Sequence, residues 1–223
     1  MDDRHWDAQQ ILEISGYYWR TCTLHAAVKL GLFTRIGHDE LTAARLAELT
    51  RTDERALTML LDALAALGLL VKTKDRYANH PEAVSWLSED SPHYIGYMIK
   101  HHHHLVESWA RLDQAVREGA PVRTRASRDE PERREAFLMG MFNLAMNIAP
   151  QLARSLPLSG RKHLLDLGGG PGTYAIHFCL ENPQLGATVY DLPTTRPFAE
   201  KTIERFRLSD RVRFVAGDYH QNR

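Results

Sequence analysis

The chain has 223 residues, enough for one or two domains, and its 28 basic residues are balanced by 28 acidic ones. This balance excludes a global field that would draw the chain to nucleic acid or anionic lipid. With 43% hydrophobic residues, 25% charged residues and a mean hydropathy of -0.39, the composition excludes a disordered chain and predicts a sizeable packed core.

The amino terminus carries no targeting or membrane pattern. No apolar run approaches the roughly 20 residues of a membrane helix, and residues 1–7 are charged without an apolar segment behind them. We therefore expect a cytoplasmic protein that binds no membrane. The two cysteines, Cys22 and Cys179, have no metal-ligand spacing around them, which predicts reduced, buried thiols.

The first 80 residues have the pattern of a winged helix. Apolar residues at helical spacing predict one long helix or two short ones over 11–32, and two further helices over 41–49 and 55–67 joined by a tight turn. Residues 69–71 and 77–78 then predict two short strands around a polar turn.

The helix predicted over 55–67 is the second of the two joined by the tight turn. A DNA-binding winged helix would place the side chains that contact DNA on this helix. Here it carries Asp53, Glu54, Arg55 and Asp62 on an otherwise apolar surface. Such a surface is better suited to packing against protein than to contacting phosphate. A DNA-binding regulator therefore remains a disfavoured alternative.

The middle of the chain is predicted to be helical. Residues 81–92 predict a helix followed by a turn, and 94–118 a single long helix. The prolines and charges of 119–134 predict an exposed linker. A further helix with a broad apolar face is predicted over 135–156, and 157–160 break the chain.

After residue 160 the hydrophobic period changes to that of alternating strands and helices. Strands are predicted over 162–167, 187–190 and 212–216, with helices over 173–181 and 195–206. This βαβαβ order predicts the first half of a doubly wound, Rossmann-like parallel sheet.

A glycine-rich loop, Asp-Leu-Gly-Gly-Gly-Pro-Gly, occupies 166–172, where a buried strand turns into a helix. Open α/β sheets bind their ligands at this point. Gly168, Gly170 and Gly172 permit positive φ angles and a close backbone approach. Asp166 precedes the glycines, and its negative charge suits the sulfonium and ammonium groups of S-adenosylmethionine better than a pyrophosphate. A purely structural tight turn is the alternative.

Further acids follow the next two strands. Asp191 can accept hydrogen bonds from ribose hydroxyls, or can serve as a helix cap before Leu192. Asp218 can face an adenine amino group, with Tyr219 beside it. We include Asp191, Leu192, Asp218 and Tyr219 in a predicted cofactor site.

Three segments at natural spacing, 164–172, 190–193 and 210–219, together resemble the small-molecule O-methyltransferases of plants and of bacterial natural-product pathways. The likeness extends upstream. The winged-helix segment resembles that family's dimerisation domain, 107–109 its helix after the wing, and 142–146 its helix at the active-site cavity.

The resemblance implies a fold and a domain order. A mainly α-helical winged-helix dimerisation domain would span 1–92, a helical connector lining the substrate cavity 93–157, and a partial S-adenosylmethionine-binding domain of class I methyltransferase type 158–223. By this likeness the chain forms a homodimer, and each amino-terminal domain contributes to its partner's pocket for a small-molecule acceptor.

The resemblance also assigns side chains in the middle of the chain. It places Phe142 and Met146 near the methionine end of the cofactor, with core packing as the alternative. We also predict Asn143, Trp109 and His104 as residues that bind the acceptor.

His104 closes a run of four histidines. Only His101 and His104 share a helix face, so we predict no metal site, although metal binding by the run is a minor alternative. Packed or solvated histidines are the main interpretation of this run, and a histidine at the acceptor pocket is the other alternative.

The implied reaction is in-line methyl transfer from S-adenosylmethionine to a hydroxyl of an aromatic or polyketide-like molecule, with a base removing the proton. The family's basic histidine would follow Arg223, so no catalytic residue is assigned.

Three strands alone would leave the strand of Asp166 with an unpaired edge and an uncovered apolar face. A truncated chain, a split enzyme completed by a second chain, and a non-catalytic dimerisation or partner subunit are the alternatives.

Overall fold

The computed structural model of the chain describes residues 5–122 and 130–218. These residues form two compact units, Met1–His103 and His104–Arg223. Each unit has its own arrangement of helices around one three-stranded sheet. The finer boundaries expected from the sequence, at residues 92 and 157, stay predictions.

The first unit is built mainly from helices. They are α1 (Ala8–Lys29), α2 (Leu32–Ile36), α3 (Ala43–Thr50), α4 (Glu54–Ala66), α5 (Pro81–Leu87) and the start of α6 (Gly96–Trp109). The predicted helical region over 11–32 is divided because Gly31, at φ 64°, takes the left-handed conformation between α1 and α2.

Its small sheet contains β1 (Leu41–Thr42), β2 (Leu70–Thr73) and β3 (Arg76–Asn79) in the antiparallel order β1-β3-β2. The predicted hairpin is confirmed. The helix expected from residue 41 begins instead at Ala43, because Thr42 is extended and its side chain caps the helix by accepting from the Arg45 N–H at 3.2 Å. Two helices followed by this wing give the predicted winged helix.

The acidic side chains of α4 are engaged within the domain. Asp53 caps the helix by accepting from the Ala56 N–H at 2.8 Å. Asp62 accepts from Lys72 and from the Tyr77 hydroxyl, each at 2.6 Å, and the Lys72 hydrogen bond is the main cause of its lowered pKa. Asp62 therefore ties the wing to α4, while Asp53 stabilises the start of that helix.

The second unit continues with α7 (Leu112–Glu118), α8 (Pro131–Met146), α9 (Ala149–Ser155), α10 (Thr173–Glu181) and α11 (Arg196–Arg205). The single helix predicted over 94–118 is wrong, because a tight turn closed by the Arg111 N–H on the Ser108 carbonyl separates α6 from α7.

The helix predicted over 135–156 is also divided. Pro150 lies in the first turn of α9 and cannot donate a backbone hydrogen bond to α8. At the other end, α8 begins at Pro131, so the last residues of the predicted linker are helical. Residues 123–129 of that linker lie outside the described residues.

The parallel sheet contains β4 (His163–Leu167), β5 (Gly186–Asp191) and β6 (Val212–Ala216) in the order β4-β5-β6. Leu165 pairs with Thr188, and Thr188 pairs with Arg213. A short 3₁₀ turn, Pro193–Thr195, precedes α11. The predicted βαβαβ order is confirmed.

The two faces of this sheet differ in burial. Ala187, Val189 and Val212 belong to a core cluster that includes residues of α10 and α11. On the opposite face of β4, Leu165 is 59% exposed and Leu167 is 56% exposed. Since β4 is at the edge of the sheet, the predicted unpaired edge and uncovered apolar face are present in the described part of the chain.

One cysteine differs from expectation. Cys179 is buried in α10, and burial raises the pKa of its thiol, but Cys22 is exposed on α1 rather than buried. The reason is that much of α1 turns apolar side chains outward, among them Ile14, Tyr18 and Trp19.

Among the described residues, no single helix is long and apolar enough to cross a membrane. The bent pair of α8 and α9, at 49° to each other, meets those requirements of length and composition only when the two are counted together.

Candidate cofactor site

The glycine-rich loop connects the end of β4 with the start of α10. Its glycines at 168, 170 and 172 have φ angles of 69°, 55° and 80°, values that favour glycine. The Gly168 N–H donates to the Tyr190 carbonyl at 2.8 Å, which ties the loop to β5. A Cβ on Gly172 would lie 3.0 Å from Val189, so a side chain there would push α10 away from the sheet.

Asp166 lies beneath this loop. Its Oδ2 accepts from the Ala175 N–H of α10 at 3.3 Å. Burial raises the pKa of the carboxyl, the Ala175 hydrogen bond opposes that rise, and the negative charge of Asp191 adds to it. A Cβ on Gly169 would lie 2.6 Å from Asp166 Cγ, so the loop leaves room for this acid only with glycine at 169.

Asp191, at the end of β5, accepts from three donors among the described residues. The Gly170 N–H donates to Oδ2 at 2.8 Å, while the Leu192 N–H and the Thr195 hydroxyl donate to Oδ1 at 2.6 and 3.0 Å. The bonds to Leu192 and Thr195 resemble a turn cap, and the bond to Gly170 joins the acid to the loop. Both interpretations of this residue are therefore compatible with its geometry.

A cavity of about 730 Å³ opens at these strand ends. It contains Asp166, Asp191 and Asp218, and the Gly217 N–H holds the end of β6 beside β5 through the Asp191 carbonyl at 2.9 Å. Its other lining residues come from α8 and the turn before α9, from the loop and the start of α10, and from the turn after β5: Arg134, Phe137, Leu138, Met141, Leu144, Ala145, Ile148, Gly168, Gly169, Gly170, Pro171, Thr173, Tyr174, Leu192, Thr194 and Thr195.

Some residues predicted for the cofactor site lie behind this lining. Phe142 is buried, with the Arg205 guanidinium 5.8 Å from its ring centre. Met146 Sδ lies 3.3 Å from His177 Nε2. Neither side chain is among the cavity residues, so their cofactor roles stay predictions. Gly172 acts from behind the loop, through its packing against β5.

The predicted acceptor residues are also outside the cavity lining. Asn143 and His104 are partly buried, and Trp109 is 66% exposed at the end of α6. Tyr219 lies outside the described residues. Within the described ranges, no three histidine, cysteine or acidic side chains are grouped as metal ligands.

The sequence pattern missed several cavity residues. Phe137, Leu138, Met141, Ala145 and Ile148 were expected as an apolar helix face, and they form a wall of the cavity. Their helical spacing toward a predicted ligand loop was the available signal. Thr195 gave no such signal, because its contact with Asp191 depends on the unpredicted 3₁₀ turn.

The site therefore offers three carboxylates, a glycine loop accessible to a ligand and an apolar wall. This chemistry fits a ligand that combines a cationic group, a ribose and a flat ring, and the three consecutive glycines at 168–170 leave space for it. A winged-helix domain followed by such a site defines the architecture of a small-molecule methyltransferase.

The chain belongs to the O-methyltransferase family. The family model of the O-methyltransferase dimerisation domain matches residues 12–89, and that of the O-methyltransferase domain matches residues 109–223. The predicted family and fold class are thereby confirmed.

Two curated relatives come from Streptomyces. The 3-hydroxy-5-methyl-1-naphthoate 3-O-methyltransferase of Streptomyces sahachiroi is 34% identical over 90% of this chain and 60% of its own length. The N,N-dimethyltransferase OxyT of Streptomyces rimosus is 32% identical over 95% of this chain and 64% of its own length. The chain thus spans less than two thirds of the length of either relative.

A solved structure shows the same fold. The O-methyltransferase family protein from Burkholderia thailandensis is 30% identical, with a TM-score of 0.82, and the match covers 96% of this chain and 65% of that protein.

Proposed function

We propose that this chain carries the cofactor-binding part of an S-adenosylmethionine-dependent O-methyltransferase that acts on an aromatic or polyketide-like small molecule. The observation that supports this most directly is the cavity in which Asp166, Asp191 and Asp218 meet beside the glycine loop. Family membership supports the cofactor, and the naphthoate enzyme supports an aromatic acceptor.

Each acid would recognise a different part of the cofactor. Asp166 places negative charge near its cationic end, Asp191 accepts from ribose, and Asp218 accepts from the adenine amino group. S-adenosylmethionine supplies a methyl group on a positively charged sulfur. The wall from Phe137 to Ile148 excludes water and holds a flat acceptor against the site.

Oxygen as the receiving atom is part of the proposal. One of the two Streptomyces relatives is a 3-O-methyltransferase and the other an N,N-dimethyltransferase, so this architecture accompanies transfer to different atoms. The role of the described residues would be to align acceptor and cofactor. We assign no catalytic base to them.

We further propose a homodimer formed through the first unit. Ile11, Ile14, Tyr18 and Trp19 leave a wide apolar surface exposed on α1, and the matched dimerisation domain includes most of this helix. A second copy would bury this surface. Location in the cytoplasm stays a prediction of the sequence.

Titration calorimetry with S-adenosylhomocysteine tests the cofactor proposal. We expect binding in the micromolar range once the sheet is complete, and at least a roughly tenfold loss in Asp191→Ala. Asp210→Asn is the matched control, because Asp210 is exposed and outside the cavity. The proposal fails if neither this chain nor a form with a completed sheet binds the ligand.

A non-catalytic partner subunit is the second candidate, favoured by the exposed edge of β4. Measuring the mass of the purified species separates the two candidates. A second, different chain that copurifies with this one and restores no methyl transfer would favour the subunit. A homodimer that binds the cofactor would favour the enzyme.

A further inference from the structure

Thr195 ends the 3₁₀ turn that follows β5, and it is buried, with only 3% of its surface exposed. Its hydroxyl donates to Asp191 Oδ1 at 3.0 Å, and its N–H donates to the Leu192 carbonyl at 2.9 Å. The residue also lines the cavity. The turn thus presents a buried hydroxyl to the acid proposed to recognise ribose.

The carboxylate of Asp191 has about four sites for accepting hydrogen bonds. The described residues occupy three of them, with the Leu192 N–H and the Thr195 hydroxyl on Oδ1 and the Gly170 N–H on Oδ2. The two oxygens are held from different sides, which fixes the plane of the carboxylate. Among these described contacts Oδ1 has two donors and Oδ2 has one, so Oδ2 is the oxygen with spare accepting capacity.

We propose that Thr195 is a positioning residue for ribose recognition, acting by holding the Asp191 carboxylate in the orientation that a ligand hydroxyl meets. This inference rests on the proposed function. Through the Gly170 N–H, the same carboxylate also fixes the middle of the glycine loop. A carboxylate oriented in advance loses less conformational freedom when it binds a ligand.

The experiment compares two ligands in three forms of the chain. Thr195→Val keeps the shape of the side chain and removes its hydroxyl, whereas Thr195→Ser keeps the hydroxyl. Calorimetry would use S-adenosylhomocysteine and its 2′,3′-dideoxy analogue, with the full chain in the sheet-completed form if the chain alone does not bind.

We expect Thr195→Val to weaken binding of S-adenosylhomocysteine by about three- to tenfold. Binding of the dideoxy analogue should change by less than about twofold, because that ligand has no ribose hydroxyl that could donate to Asp191. Thr195→Ser, which keeps the hydroxyl, should discriminate between the two ligands as the unaltered chain does. In an Asp191→Ala background, Thr195→Val should cause no further loss, since the hydroxyl acts through the carboxylate.

Thr202→Val is the matched control. Thr202 is also buried, but its hydroxyl donates to the Phe198 carbonyl at 2.7 Å inside α11, away from the cavity lining. This variant should lower stability without changing the ratio of the two affinities.

The outcomes separate the two hypotheses. If the unaltered protein binds neither ligand, the proposed function fails and the role of Thr195 fails with it. If it binds S-adenosylhomocysteine and Thr195→Val binds equally well, or loses both ligands to the same extent, only the role of Thr195 is overturned.

Discussion

Asp166 is an acid in a largely buried position, and burial disfavours the charged form of its carboxyl group. Its raised pKa means that the folded chain retains a proton at pH values where the unfolded chain has lost it. Stability therefore falls as the pH rises from the usual value of 3.8 through the raised one, and near neutral pH the ionised carboxylate destabilises the fold.

Asp166→Asn should relieve that conflict at the expense of binding. The amide oxygen can still accept from the Ala175 N–H, while the charge disappears. Urea unfolding near pH 7 should show a higher free energy of unfolding than for the unaltered chain, and the gain should vanish below the usual pKa. Affinity for S-adenosylhomocysteine should fall at least about tenfold. A less stable variant near pH 7 would contradict this interpretation.

Gly169→Ala should displace Asp166, because the new Cβ would lie 2.6 to 2.9 Å from the carboxylate atoms. We expect binding of S-adenosylhomocysteine to fall by about tenfold or more, with stability reduced by about 1 kcal/mol. Gly160→Ala is a suitable control, since Gly160 has φ 81° and open space around it. That variant should lose comparable stability and keep its affinity, as calorimetry and thermal unfolding would show.

The sequence predicted the residues of the site that form a linear motif. Asp166 and the loop glycines are adjacent in the chain, and Asp191 and Asp218 each follow an apolar strand, so spacing alone indicated their meeting place. Met146 shows the limit of this reasoning. Its side chain contacts His177, a contact that depends on how α8 and α10 pack.

Among the elements, α1 and α6 bring together a group of basic side chains. His25 is only 4% exposed, and its ring meets that of His103 edge-on at 5.5 Å. His103 Nε2 in turn lies 3.0 Å from Lys29 Nζ. Burial, followed by the charges of His103 and His102, lowers the pKa of His25 to about 4.

Acid should therefore loosen this part of the first unit. The folded pKa of His25 is below its ordinary value of 6.5, so its contribution is complete above 6.5 and is lost as the pH falls toward 4. The expected loss is about 3 kcal/mol. Unfolding followed across this range should be less pH-dependent in His25→Gln, whereas exposed His38 gives the control variant His38→Gln. Equal pH dependence in both variants would count against a role for His25.

Helix type was easier to predict than helix extent. Apolar spacing indicated helices over 94–118 and 135–156, but it cannot detect a break that leaves the apolar face continuous. Pro150 did offer a signal in the second case, since a proline inside a helical pattern predicts an interruption before it. The break at Arg111 is set by turn hydrogen bonds that have no distinct residue signature.

For the whole molecule, the exposed edge of the parallel sheet predicts association. In the part of the chain that the structure describes, no strand pairs with the outer side of β4, and Leu165 and Leu167 are exposed on one face. Leu165→Lys should reduce the formation of species larger than a dimer at high protein concentration, as measured by sedimentation velocity.

Leu180→Lys provides the comparison for that measurement, because Leu180 is 45% exposed but belongs to helix α10. It should leave the distribution of large species unchanged. Equal behaviour of the two variants would show that the edge strand does not drive association.

The order of the sheet could be predicted because connections in α/β folds are short and regular. Alternating strands and helices after residue 160 left few arrangements, and the observed order β4-β5-β6 is the simplest of them. The distance at which the glycine loop packs against the sheet could not be predicted. The close approach of Gly172 to Val189 depends on how the side chains pack.

This sequential order has a consequence for biosynthesis. Each strand pairs with the next one made, and the three acids follow one another at intervals of roughly 25 residues, so only short loops must close before they meet. We therefore expect the cavity at the strand ends to form on a nascent chain soon after residue 218 emerges from the ribosome. Binding of the cofactor would come later, when the sheet is complete, so the three acids would be in place before their ligand arrives.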